Sequence, residues 1–171
     1  MPLEQISHHL VASVIASEDA GFCRHRGVDW GALREQLTAE DGPARGASTL
    51  AMQTAKNLFL WPGASYVRKG LEIPLALTLD AAWGKRRMLE VYLNIAEWGP
   101  GIFGAEAAAR RYFGKSAARL NAREAALLAT ALPNPWLRNP AKPTRRHAML
   151  TGINQRRAAA AQRLTGCLGL H

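Results

Sequence analysis

Glycine and proline cut this chain into short lengths, and between the cuts the apolar residues return at helical spacing rather than in alternation. Ile6, Leu10 and Val14, with Val11 and Ile15, keep the i, i+4 interval of one helix face until Gly21 stops the run. Asp29 is placed to cap a second helix from Trp30, and Glu40-Asp41-Gly42-Pro43 marks the loop that ends it. Ser48 or Thr49 caps a third helix, which runs to about Leu60 and is broken by Trp61-Pro62-Gly63. The next is expected from about Tyr66 towards Trp83, kinked or interrupted near Pro74, whose ring removes a donor and crowds the preceding turn. Lys85 to Trp98 follows, stopped by Gly99-Pro100-Gly101, and then a short helix from about Gly104 to Tyr112. Asn121-Ala122-Arg123-Glu124 has the capping-box pattern and opens an alanine- and leucine-rich helix that ends before Pro133. Prolines at 133, 135, 140 and 143 make an extended linker into a last helix near Gly152 to Leu164. No stretch of useful length alternates, so the expected fold is mainly α and the 171 residues are expected to form one domain.

Composition bounds the remaining options. With 48% hydrophobic and 20% charged residues the chain can bury a core and lacks the signature of disorder. Two cysteines, Cys23 and Cys167, build neither a disulfide framework nor a thiolate zinc site, so stability is expected from packing. The formal charge of +9 is uneven: no Asp or Glu follows Glu124, whereas Arg138, Lys142, Arg145, Arg146, Arg156, Arg157 and Arg163 do. A cationic end of this kind suits phosphate, nucleic acid or an anionic membrane, or is simply a solvated helix face. The longest apolar candidate, Ile73 to Trp83, contains Asp80 and falls short of the about 18 to 20 residues that span a bilayer. Met1 to Leu10 lacks the basic start and apolar core of a signal peptide.

Certain side chains are placed as chemistry would need them. Glu18 and Asp19 fall where a helix ends, beside its partial negative charge, which raises proton affinity and favours a general base. Alone, two such acids are ordinarily just solvated, and His25 and Asp29 alone read as a turn residue and a cap. Thr49, Gln53 and Lys56 share a helix face that offers donors to an anion or a sugar, although an ordinary polar surface reads the same way. Glu72 leads into an apolar stretch and needs partners, with Arg68 at i−4 suited to be one and Lys69 beside it. Lys85, Arg86 and Arg87 open a helix at its positive end, where an external anion is expected to hold them. No His or Cys cluster has metal-ligand spacing, no glycine-rich phosphate loop follows a strand, and no Gly-x-Ser-x-Gly elbow is present.

Taken in order, several segments resemble the motifs of the bacterial peptidoglycan glycosyltransferases (glycosyltransferase family 51), especially the monofunctional biosynthetic type. They are Glu18-Asp19-Ala20-Gly21-Phe22-Cys23-Arg24-His25-Arg26-Gly27-Val28-Asp29, Gly46-Ala47-Ser48-Thr49-Leu50-Ala51-Met52-Gln53-Thr54-Ala55-Lys56-Asn57, and Arg68-Lys69-Gly70-Leu71-Glu72. Lys85-Arg86-Arg87-Met88-Leu89-Glu90-Val91-Tyr92-Leu93-Asn94 and Gly101-Ile102-Phe103-Gly104-Ala105-Glu106 complete a match over nearly the whole chain. The resemblance implies a lysozyme-like helical lobe with a smaller, mobile, membrane-proximal lobe within about 58–85, and an N-terminal transmembrane anchor that these residues do not include. It implies that lipid II is polymerised into β-1,4-linked glycan with inversion and release of undecaprenyl diphosphate. Glu18 would be the general base and Glu72 the second catalytic carboxylate. Lys56, Arg68 and Lys69 would neutralise diphosphate, Thr49, Gln53 and Asn57 would orient it and the sugars, and Asp19, Phe22 and His25 would shape the acceptor side. A divalent cation, Mg2+ or Mn2+, would act with the diphosphate, its protein ligands unassigned, and no organic cofactor is implied. Lipid II, the lipid-linked glycan chain, the membrane surface and cell-wall synthesis or division proteins would be the partners, at the periplasmic face of the cytoplasmic membrane. Asp80 stands where a Glu is common in that family. The rival readings are a lysozyme-like glycan-cleaving enzyme and a non-catalytic basic helical module that binds membrane or nucleic acid; with the resemblance, nucleic acid is not an expected partner.

Overall fold

The computed structural model describes residues 1–38, 47–61, 63, 65–161 and 165–169. Seven α-helices run through these described residues: α1 (His8–Glu18), α2 (Trp30–Thr38), α3 (Leu50–Phe59), α4 (Tyr66–Ile95), α5 (Ala105–Phe113), α6 (Ala122–Ala131) and α7 (Arg145–Ala161). A two-stranded antiparallel ribbon, β1 (Glu97–Gly99) with β2 (Ile102–Phe103), lies between α4 and α5. The fold is thus mainly α, consistent with a lysozyme-like helical domain. The loop expected at 40–43, the breaker Pro62 and the end of the last helix at Leu164 lie outside the described residues.

At the centre stands α1. Leu10, Val11, Ala12, Ser13, Val14, Ile15 and Ala16 are all buried, so the helix is enclosed on every side rather than amphipathic as its stripe predicted. Helices α6 and α7 pack against it, and buried Asn154 of α7 donates from Nδ2 to the Ser13 carbonyl at 3.0 Å. Helix α3 lies along α4, and Leu50, Met52, Leu89, Leu93 and Trp98 join Val14 and Phe22 in one core.

Local chemistry sets the helix starts as expected. The Asp29 carboxylate accepts from Ala32 N–H at 3.1 Å, the Thr49 hydroxyl accepts from Met52 N–H at 3.2 Å, and Asn121 and Glu124 form a reciprocal capping box. The expected break near Pro74 does not occur. Helix α4 runs through Pro74, held by burial of Glu72 and Ala76 on either side, and its one non-helical residue is Gly84 at φ 67° and ψ 174°. The following stretch ends at Ile95 rather than Trp98, because Glu97–Gly99 turns into the ribbon and Gly104 N–H bonds back to the Ala96 carbonyl at 3.0 Å. Helix α7 starts at Arg145 rather than near Gly152, where the Thr144 hydroxyl accepts from His147 N–H at 3.3 Å.

Two further expectations are corrected. The cysteines do pair: Cys23 and Cys167 form a disulfide across 144 residues, with 5.6 Å between their Cα atoms, so packing is not the sole source of stability. No external anion is needed by the basic run after Gly84, since Lys85 pairs with Asp80 at 2.7 Å, Arg86 with Glu4, and Arg87 with Glu90. Among the described residues no helix is long and apolar enough to cross a membrane.

Candidate active site

Because α1 is packed on all sides, its last residue, Glu18, is carried to the wall of a cleft of about 580 Å3. Ser48 and Gln53 line the same cleft beside Glu18, while Asn134, Arg138 and Arg157 line it from the α6–α7 region. Glu18 accepts through Oε2 from Gln53 Nε2 at 3.3 Å, whereas Oε1 is shut from solvent and has no partner among the described residues. Burial raises the Glu18 pKa above the ordinary carboxylate value; the neighbouring Ser17 hydroxyl, the Gln53 hydrogen bond and the charge of Arg138 oppose the rise, and Asp19 adds to it. A carboxylate in that state is a stronger base than one in water.

Asp19 does different work. Its buried carboxylate accepts from the Leu50 N–H at 3.0 Å, at the positive start of α3, and from His25 Nε2 at 2.7 Å. The Thr49 hydroxyl donates to the Gly27 carbonyl at 2.5 Å while capping α3. Phe22, with no exposed surface, sets its ring edge-on to His25 with centroids 6.4 Å apart. Asp19, Phe22, His25 and Thr49 therefore clamp the loop after α1 onto α3 and hold Glu18 and Gln53 in register, and none of the four lines the cleft.

From Gln53 a polar chain leads to the second carboxylate. The Tyr92 hydroxyl donates to Gln53 Oε1 at 3.0 Å, and burial pushes the Tyr92 pKa well above its usual value, so the phenol stays protonated and fixes the amide with its nitrogen towards Glu18. That nitrogen also faces the Ser48 carbonyl at 3.4 Å. The Ser48 hydroxyl accepts from Lys69 Nζ at 2.7 Å, and the same ammonium donates to Glu72 at 2.7 Å. Arg68 lies 3.6 Å from the other Glu72 oxygen. Glu72 is only 3% exposed, so its charge is carried by this pairing. Lys56 is half-buried, has no ion pair among the described residues, and has its pKa lowered chiefly by burial, with Arg68 and Lys69 adding to the fall and Glu72 and Glu18 resisting it. Arg68 and Lys69 thus both pair with Glu72, and Lys56 lies within electrostatic range of all three without pairing, so positive charge is in excess around this carboxylate. Asn57 is exposed at the end of α3, outside this network.

The sequence model of the transglycosylase family matches residues 1–164. The chain belongs to that family. Among similar proteins, the biosynthetic peptidoglycan transglycosylase of Brucella suis biovar 1 (strain 1330) is 57% identical over 168 residues, covering 97% of this chain and 75% of that protein. The protein of the same name from Agrobacterium fabrum (strain C58) is 55% identical over 170 residues, covering 98% and 75%. That from Rhodospirillum centenum (strain ATCC 51521 / SW) is 54% identical over 172 residues, covering 98% and 74%.

In this transglycosylase the sequence-selected residues fall into three groups. Glu18 and Gln53 face the cleft, Lys56, Arg68, Lys69 and Glu72 form the charged cluster joined to it through Ser48, and Asp19, Phe22, His25 and Thr49 brace the two. Sequence reasoning gave Tyr92 no role of its own and treated Ser48 only as a cap. Their roles arise from contacts 39 and 21 residues away, which no local spacing signals. Among the described residues no three His, Cys, Asp or Glu side chains gather as a metal cluster.

Proposed function

We propose that this transglycosylase polymerises lipid-linked disaccharide, lipid II, into β-1,4-linked glycan with inversion and release of undecaprenyl diphosphate. The observation that carries the reading is the pairing of a partly desolvated carboxylate, Glu18, with a cation-rich cluster connected to it through Gln53, Ser48 and Lys69. Glu18 takes the proton from the acceptor sugar hydroxyl, and that oxygen attacks the anomeric carbon of the lipid-linked chain. The C–O bond to the diphosphate breaks on the opposite face. The electron pair of that bond leaves one further negative charge on the already anionic diphosphate, and Lys56, Arg68 and Lys69 neutralise it without donating a proton. Glu72 keeps Lys69 and Arg68 in place before the diphosphate arrives. Glycan cleavage by a lysozyme-like route would need an acid at a sugar leaving oxygen instead.

The named relatives support the peptidoglycan substrate. Phe59, Trp61, Tyr66 and Val67 are all exposed at the end of α3 and start of α4, next to the cation cluster in sequence, and fit a membrane-proximal lobe within about 58–85. The Cys23–Cys167 bridge fits the oxidising periplasmic face of the cytoplasmic membrane. The test is a gel assay for polymer made from purified lipid-linked disaccharide. Wild type is expected to give polymer, and Glu18→Gln to lose at least about a hundred-fold of it while keeping the wild-type circular dichroism. Polymer of wild-type yield from that variant removes the proposed base.

A further inference from the structure

Beyond Glu18 and Gln53, the cleft is lined by positive charge that no carboxylate pairs with among the described residues. Opposite the α1 end, Asn134, Arg138 and Arg157 line it, together with Thr130 and Asn154. Neither guanidinium has an ion pair among the described residues, although Lys69, Lys85, Arg86 and Arg87 elsewhere each have a carboxylate. Residues 125–171 contain no Asp or Glu, so no side-chain carboxylate of that segment pairs with either arginine.

Arg138 is moreover held rather than free. Its Nη1 donates to the Thr130 carbonyl at 2.6 Å. Thr130 is itself fixed: its hydroxyl donates to the Ala126 carbonyl at 2.7 Å and lies 3.0 Å from Nε2 of His147, which is 2% exposed. Asn154, 4% exposed, gives its amide nitrogen to Ser13 and keeps an oxygen with no partner among the described residues. A guanidinium fixed at one nitrogen retains a fork of donors that matches a carboxylate or phosphate.

We propose that Arg138 and Arg157 form an anion-binding subsite in the cleft, which positions the incoming substrate for Glu18 by gripping its negatively charged group. The inference deepens the proposed function and rests on it. The ligand chemistry is an oxyanion, supplied either by a stem-peptide carboxylate of the acceptor or by its diphosphate. Binding here orients the acceptor hydroxyl, so the two arginines are positioning residues and take no part in bond making.

The experiment measures equilibrium binding of lipid-linked disaccharide pentapeptide in detergent micelles, and polymerisation kinetics, for wild type, Arg138→Met, Arg157→Met and Arg138→Lys. Each methionine variant is expected to weaken binding and raise KM by about ten-fold; Arg157→Met keeps kcat within about two-fold of wild type, whereas Arg138→Met also moves the acid limb of kcat to higher pH because its charge lowers the Glu18 pKa, and Arg138→Lys restores part of both losses. A second substrate, with its stem-peptide carboxylates converted to amides, separates the sources. If the peptide is gripped, wild type itself weakens about ten-fold and the methionine variants lose nothing more; if the diphosphate is gripped, the variants lose equally on both substrates. Unchanged affinity and KM in both methionine variants while wild type makes polymer overturns the subsite and leaves the proposed function standing. Weakened binding in the variants with no polymer from any protein keeps the subsite and removes the transfer reaction. No binding to wild type overturns both.

Discussion

Glu18 sits under two opposing demands. Burial penalises its ionised form, which makes it a better base and also makes the folded chain pay for carrying it. The folded-state pKa is raised, so the unfolded chain releases the proton first. The contribution to stability is therefore fullest below the ordinary glutamate pKa and is lost as pH rises through the folded value. Glu18→Gln removes that loss. It is expected to melt no lower than wild type at pH 7 and to lose any advantage in acid, while activity falls at least about a hundred-fold; thermal melts across pH set beside a polymer assay check both. The acid limb of wild-type kcat/KM is expected at a higher pH than an unperturbed glutamate would give, because the carboxylate is the working form. Gln53 owes its orientation to Tyr92, so Tyr92→Phe leaves the amide oxygen without its donor. A ten-fold or so lower kcat with little change in KM is expected, since the substitution loosens what faces Glu18 and touches no substrate. A wild-type kcat in steady-state assays would show that Gln53 needs no such anchor.

Between helices, glycine decides how close the chain can come. Gly27 has φ 76°, and a Cβ built there would lie 2.6 Å from the Ala76 carbonyl of α4; its own carbonyl meanwhile accepts from Thr49. Gly27→Ala is expected to cost about 1 to 3 kcal/mol in chemical unfolding and to lower activity by displacing the clamp between the loop after α1 and α3. Wild-type stability in that variant would mean the loop can move away from α4 freely. This also explains how much of the fold was legible beforehand. Asp29, Thr49 and Asn121 announced their helices because a cap bonds to residues two or three positions on. Pro74 misled, because packing of Glu72 and Ala76 outweighs one lost donor, whereas the expected boundary between Trp83 and Lys85 falls where Gly84 takes a positive φ. The ribbon at Glu97–Gly99 was hidden because strands this short leave no alternation. Glu18, Lys69 and Glu72 could be picked out by charge and spacing. What joins them could not: Ser48 meets Lys69, and Asp19 meets Leu50, only when distant helices have packed.

The longest-range of these meetings is the bridge between Cys23, just past the end of α1, and Cys167, near the other end of the chain. It closes a loop of 144 residues, so its chain-entropy effect on the unfolded state is large, about 5 kcal/mol. Non-covalent contacts hold the same junction more weakly. Leu168 is buried, its carbonyl accepts from Arg86 Nη1 at 3.1 Å, and Arg86 in turn pairs with Glu4. Cys167 stands one residue away from that anchor, while Cys23 belongs to the loop that Asp19 and His25 brace. Removing the bridge thus takes away a constraint on the unfolded chain and leaves the native contacts of the cleft in place. A Cys23→Ser, Cys167→Ser protein is expected to melt lower by up to about 10 to 20 °C, with polymer formation retained well below its melting point. Wild type in a thiol reductant should follow the double variant, and the variant should not respond to the reductant. Equal melting temperatures for all of these would mean that the non-covalent junction at Leu168 already does everything the bridge could. A variant that melts lower but also loses polymer at low temperature would instead tie the bridge to the geometry of the loop beside Glu18.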